Sequence, residues 1–210
     1  MQIALRNVYA LWVLIPMNFK LDGNLGLCGA HRTGKTTLAI AIASQLNVPF
    51  VRTTTSQVFA ELGLDPAEAM DFKTRLFVQN HVLDAAEQVW QNSLSPFLSD
   101  RTPIDMIAYT LADIQGKTDV DFDLLNPYID RCFTSTNQFF HNLAIVQPGI
   151  PLVYEEGKAS LNAAYIEHIN VLVIGLCQDS RVKANVFCNP REAIALDLRV
   201  RNILESITST

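Results

Sequence analysis

An α/β fold of three layers (α/β/α) around a mainly parallel sheet is predicted by three observations. Residues Gly29-Ala30-His31-Arg32-Thr33-Gly34-Lys35-Thr36 satisfy the pattern G-x-x-x-x-G-K-[ST]. They stand between a short apolar run at 25–28 and an Ala/Leu/Ile-rich stretch at 37–43, the strand–loop–helix order in which this pattern acquires a mechanism. Beyond them, short β-branched segments alternate with longer stretches of helical period, and strands separated by helices demand parallel pairing with right-handed crossovers.

Taken in order, 25–28 is the first strand and the helix follows the loop. Residues 48–53 read as the second strand, β-branched and opened by Pro49. A short helix at 56–62 ends in a turn at 63–66, marked by Gly63 and Pro66. From 67 to about 93, Met70, Leu76, Phe77, Val82, Leu83, Ala86, Val89 and Trp90 recur at near-helical spacing, so this is one long helix or a pair. Residues 97–99 form a very short strand ending in Asp100-Arg101, and Pro103 opens a helix through Leu111. Residues 120–142 read as helical with Pro127 near the start of the main part, and 143–147 as a strand bounded by Pro148-Gly149. A helix at 159–177, a last strand at 182–188 and an amphipathic helix at 190–207 complete the pattern. There is no repeat and no Gly/Ser linker, so residues 17–210 are expected to be a single domain.

The first sixteen residues stand apart. The apolar run Tyr9–Pro16 behind Arg6 imitates a leader, but it is too short to span a bilayer and lacks a small-residue cleavage site. Met17 follows at once and is read as the natural start, with 1–16 an upstream extension outside the core; a weak membrane or partner anchor is the rival reading.

Composition narrows the function. With 49% apolar and 18% charged residues among 210, the chain can bury a sizeable core and is not disordered. The net charge of −5 argues against broad electrostatic binding to DNA while leaving a narrow basic groove open. Cys28, Cys132, Cys177 and Cys188 lie far apart without a C-x-x-C pair, which fits free, mostly buried thiols in a reducing cytoplasm and no structural metal. No membrane partner is expected. The histidines His31, His81, His141 and His168 have no ligand spacing, so Mg²⁺ is the only metal implied.

The glycine loop carries the chemistry. Backbone N–H groups of Gly29, Ala30, His31, Arg32, Thr33, Gly34, Lys35, Thr36 and Thr37 would curl around phosphate oxygens at a helix N-terminus, where the dipole favours anions. Lys35 would reach the β and γ phosphates of ATP or GTP, and the Thr36 hydroxyl would ligate Mg²⁺. Asp100 ends the third predicted strand, at the sheet edge where ligands collect. Its carboxylate there can orient a hydroxyl nucleophile or hold the metal. Arg101 beside it can pair with a phosphate or carboxylate of a second substrate.

Together with Arg52-Thr53-Thr54-Thr55, Phe77-Val78-Gln79 and the stretch Asp100-Arg101-Thr102-Pro103-Ile104-Asp105-Met106-Ile107-Ala108-Tyr109, the loop resembles the AAA-type P-loop ATPase/kinase group related to the ribosylnicotinamide kinase domain of NadR. More distantly the chain is similar to thymidylate and deoxynucleoside kinases, over about residues 20–180. The resemblance implies a P-loop NTPase fold of the nucleoside/nucleotide kinase kind and transfer of a γ-phosphate to a small nucleoside-like acceptor. It also admits a bacteriophage origin. No sensor arginine or ring-forming signature accompanies it, so a hexameric motor is not implied; a homodimer is left open. On this resemblance Lys35, Asp100 and Arg101 are the catalytic set, and Arg52 and Gln79 meet the acceptor. Lys158 occupies the region where related kinases carry a lid arginine, a departure because a lysine lacks the guanidinium fork. Two other readings stay open: a nucleotide-gated regulatory NTPase with slow hydrolysis, and a kinase acting on a modified base in DNA.

Overall fold

The structure, a computed structural model, describes residues 19–53, 55–65, 68–153 and 162–208. The expected extension at 1–16, the start at Met17 and Lys158 lie outside the described residues.

Five strands and seven helices alternate among the described residues: β1 Leu25–Cys28, α1 Lys35–Leu46, β2 Phe50–Val51, α2 Thr55–Glu61, α3 Phe72–Gln91, β3 Leu98–Ser99, α4 Pro103–Ala112, α5 Phe122–Phe139, β4 Asn142–Val146, α6 Ala163–Cys177, β5 Asn185–Asn189 and α7 Leu196–Thr208. Every strand pair is parallel, in the order β2-β3-β1-β4-β5. The expected α/β/α layering is present.

Alternation along the strands sorts the core into two layers, because successive side chains of a strand point to opposite faces. Ala144 and Val146 of β4 pack with Leu25 and Leu27 against Leu38, Ile42, Val200, Ile203 and Leu204 of α1 and α7. Leu143 and Ile145 face the other way, joining Trp90, Phe97, Ile107, Phe133, Phe140 and Ile169 beneath α3 to α6. Both faces of the sheet are therefore covered, which is why its central strands read as continuous apolar runs.

Asn24 sets the register of the central strands. Its side-chain oxygen accepts from Phe97 N at 3.1 Å and Ser95 Oγ at 2.9 Å, and its amide donates to the Phe139 carbonyl at 2.7 Å. Its own carbonyl accepts from His141 and Asn142 N–H groups, both at 3.1 Å. Leu25 consequently stands opposite both Leu98 and Asn142, so the carboxyl ends of β1, β3 and β4 open on one edge.

The same contact corrects one boundary. The helix expected to run to 142 stops at Phe139, because the Asn24 carbonyl takes the His141 and Asn142 amides and Asn142 begins β4. The last helix starts at Leu196 rather than at 190. The Arg191 carbonyl packs so closely on Gly149 that any side chain there would collide with it, holding 190–195 as a loop. The last strand runs Asn185–Asn189, shifted toward the carboxyl end, and the second is confined to Phe50–Val51. Residues 72–91 are one helix, capped by the Asp71 side chain on Thr74 N.

Candidate active site

Between β1 and α1 the chain makes a tight arch that only particular residues allow. Gly34, the N-cap of α1, sits at φ 75°, ψ 22°, a left-handed conformation that costs glycine nothing. A Cβ on Gly29 would strike the Val146 carbonyl of β4, so the arch can rise from the sheet only at a glycine. Arg32 takes φ 63° without being glycine, a strained value of the kind that clusters at ligand-binding loops. No acidic residue occupies the first turn of α1, leaving its positive end uncompensated by the helix itself.

Asp105 holds the arch from one side. This residue, 2% exposed, stands at the third position of α4. Oδ1 accepts the Gly29 amide at 2.7 Å, and Oδ2 accepts Thr102 N at 2.8 Å and Thr102 Oγ1 at 3.0 Å. Burial pushes its carboxyl above the ordinary range, while Lys35 and these donors pull it down. Tyr109, one turn further along α4, accepts the His31 amide at 2.8 Å and meets its Nδ1 at 3.0 Å. Two of the nine expected ligand-binding residues, Gly29 and His31, thus have their amides committed to α4 side chains. Ala30, through its carbonyl, receives the Thr33 hydroxyl at 2.9 Å.

On the other side stands Arg199 of α7. It is 4% exposed and donates from Nη2 to the Thr33 carbonyl at 2.6 Å. Burial alone lowers its tendency to hold a proton; among the described residues no carboxylate lies within ion-pair distance.

Lys35 donates to the carbonyls of Gly29 at 2.5 Å and Ala30 at 2.8 Å. An ammonium has three N–H donors, so one remains for a ligand oxygen. Burial drives its pKa down, and nearby Asp105 opposes this. Thr36, the next residue, donates its hydroxyl to Asp100 Oδ2 at 2.5 Å, joining the helix start to the end of β3. The turn carrying Asp100 is fixed from below. Ser99 Oγ donates to the Arg101 carbonyl at 2.9 Å and accepts from Trp90 Nε1 at 3.3 Å inside the core.

Two cavities meet here. One, of about 470 Å³, is lined by loop residues 30–37, by Asp100 and Arg101, and by the strap Ile150–Val153 after β4. The other, of about 300 Å³, lies under α2 and α3 and is lined by Phe59, Met106, Tyr109 and Tyr165 with Thr55, Arg75, Gln79, Arg101, Asp105 and Asp113. Arg101 lines both, and its guanidinium is anchored on the Thr55 hydroxyl. In the second cavity Arg75 Nε pairs with Asp113 Oδ2 at 3.0 Å. Burial raises the Asp113 carboxyl and Arg75 opposes the rise.

The structure therefore brings Lys35, Thr36, Thr37, Asp100 and Arg101 to one edge and Gln79 to the adjoining cavity. Arg52 is exposed just past β2 and lines neither cavity. Residues that the sequence did not single out complete the arrangement: Arg75, Tyr109, Asp113, Tyr165 and Arg199. Arg75 stands four residues before Gln79, a spacing that puts both on one helix face. Arg199 falls four before Ile203 and eight before Ile207, a cation on the buried apolar stripe of α7.

Sheet order, glycine arch and the Lys-Thr pair at the helix start define a P-loop nucleotide-binding domain of the α/β class. Residues 25–141, more than half the chain, match the AAA domain family, and the chain belongs to it. A comparison with curated proteins returns no match. Among solved structures the fold is similar to deoxyadenosine kinase from M. mycoides with products dCMP and dCDP bound, at TM-score 0.65 and 16% identity over 89% of this chain and 100% of that one. It is also similar to NadR in complex with NR, at TM-score 0.63 and 17% identity over 90% of this chain and 51% of that one. Thymidylate kinase from Candida albicans aligns at TM-score 0.57 and 13% identity, over 90% and 92% of the two chains. At these identities the likeness is one of fold.

Proposed function

We propose that the protein is a Mg-dependent kinase that transfers the γ-phosphate of ATP or GTP to a nucleoside- or nucleotide-like acceptor. The observation that carries this reading is the placement of two consecutive residues. Asp100 faces the glycine loop through Thr36, while Arg101 lines both the phosphate cavity and the adjoining one. A pure hydrolase needs the first arrangement only; a second, side-chain-lined cavity beginning at the same residue fits a second substrate.

The triphosphate lies along the loop, with α1 N–H groups and the remaining Lys35 donor toward its phosphates. The Thr36 hydroxyl and the Asp100 carboxylate meet as two hard oxygen donors, the ligand type Mg²⁺ takes, directly or through water, beside phosphate oxygens. Bound there, Mg²⁺ would neutralise charge on the β and γ phosphates. Asp100 also accepts or directs the proton of the attacking hydroxyl, and Arg101 holds the acceptor in line. A cavity of about 300 Å³ with aromatic walls is at the lower end of the range for small-molecule sites. Gln79 both donates and accepts, and the Arg75–Asp113 pair presents a donor and an acceptor edge, so together they can read a heterocyclic base. The structural neighbours named for dCMP and NR support a nucleoside-like occupant.

The test is nucleoside-diphosphate release with Mg²⁺ and ATP or GTP, alone and against nucleosides, deoxynucleoside monophosphates, nicotinamide riboside and DNA. Release that rises sharply with one acceptor is expected. Lys35→Ala and Asp100→Asn should each lose on the order of 10²–10³ in kcat without unfolding. A slow rate indifferent to every acceptor would replace this reading with a nucleotide-gated regulatory protein.

A further inference from the structure

Arg199 has no place in the loop motif, yet its side chain is built into the loop. Its Nη1 stands 3.0 Å from where a Cβ on Gly34 would lie, directly behind the arch, and its Nη2 bonds the Thr33 carbonyl. The position belongs to the buried face of α7, beside Val200 and one turn before Ile203, where a methionine would fill the space without burying a charge. A guanidinium buried this far with no carboxylate beside it is poorly compensated. One neutral carbonyl offsets little of the cost of burial, so an anion bound on the far side of the loop is the missing counterpart.

We propose that Arg199 is a positioning residue for the nucleoside triphosphate: it orients the Thr33–Gly34 peptide toward the phosphates and adds a positive charge behind them. In a trans peptide the C=O and the following N–H point in opposite directions. By holding the Thr33 carbonyl on the α7 side, Arg199 turns the Gly34 N–H into the arch, where a phosphate oxygen would accept it. Thr33 itself is fixed in turn by its hydroxyl on the Ala30 carbonyl, so the peptide has little freedom to rotate away. The inference deepens the proposed nucleotide site and rests on that reading.

Calorimetric titration of Mg-ATP into wild type, Arg199→Met and Arg199→Lys, with unliganded melting temperatures, tests it. Arg199→Met is expected to weaken ATP at least about tenfold while leaving the unliganded melting temperature unchanged or higher and the acceptor KM unaltered. Arg199→Lys, which returns the charge without the fork, should recover part of the affinity. A merely structural arginine would do the reverse, lowering the unliganded melting temperature and leaving the Kd of the folded protein alone. Wild-type affinity in Arg199→Met overturns the proposal and leaves the nucleotide site standing. Failure of the wild type itself to bind any nucleoside triphosphate overturns both.

Discussion

The Gly29 amide donates to Asp105 Oδ1 at 2.7 Å across 76 residues of sequence, so the first glycine of the phosphate loop is tied to the third residue of α4. The same carboxylate takes two donors of Thr102, at 2.8 and 3.0 Å, and thereby caps the helix. Loop and helix are one unit, and Asp105 is a structural clamp while the more open Asp100 lines the loop cavity. Asp105→Ala strands buried N–H groups and should cost at least about 1–3 kcal/mol. For a chain of this size that lowers Tm by about 2–4 °C per kcal/mol. Denaturation in guanidinium checks this, and a variant as stable as wild type would dissolve the clamp.

Lys35 links stability to pH. Burial lowers its pKa below the ordinary lysine value, so the unfolded chain holds this proton more tightly than the fold does. Stability tied to Lys35 therefore rises with pH between the folded pKa and the unfolded value near 10.4. Below that window the cost of the buried charge is fully present. Lys35→Met is expected to raise the unliganded unfolding midpoint at pH 7 and to lose that advantage as pH approaches about 10.4. A midpoint lowered at pH 7 would show that the two carbonyl bonds outweigh the burial.

The Arg75–Asp113 pair should govern the acceptor and not the triphosphate. It lines the cavity under α3 and is absent from the loop cavity. Asp113→Asn removes the charge that fixes Arg75, and the acceptor KM should rise about tenfold, equivalent to about 1.4 kcal/mol. The Kd for ATP should stay within twofold. Steady-state kinetics with the acceptor found in the panel gives both numbers; a change in ATP affinity alone would move the pair into the triphosphate site.

Thiol chemistry offers an independent check on the packing. Cys28, Cys132 and Cys177 are buried and Cys188 is exposed. Burial pushes Cys132 up to about 12, and the Cys177 thiol at 3.6 Å, together with burial, raises Cys28 well above the ordinary thiol value. Since the thiolate is the reactive form, brief alkylation of the native protein at pH 8 should add one label, at Cys188. Rapid labelling of Cys28 would mean that β1 and the end of α6 are not packed as described.

Most of this fold was written in local signals. The loop pattern announced β1 and α1, Pro103 marked the start of α4, and the apolar spacing from Met70 to Trp90 announced α3. What escaped depended on distant partners. The end of α5 is decided by the Asn24 carbonyl, more than a hundred residues earlier, and the start of α7 by the Arg191 backbone against Gly149. The site divides the same way. Lys35, Thr36 and Asp100 stand in short local motifs, whereas Arg75, Tyr109, Asp113 and Arg199 join the site only through what α4, α6 and the loop place opposite them. Arg52 shows the same dependence on bounds: the strand stops at Val51, so Arg52 stands one residue beyond its end.

A loop anchored on α4 and α7 has a consequence for the chain as it is made. The G-x-x-x-x-G-K-[ST] motif is complete once residue 36 has been added, but its second anchor arrives with residue 199. At 5–20 residues per second, translation takes about 8–30 s to cover that interval. Over that interval the nascent chain carries the whole signature without its contact to α7. A nucleoside triphosphate bound at the loop would therefore stabilise, by mass action, finished chains more than chains stalled before α7.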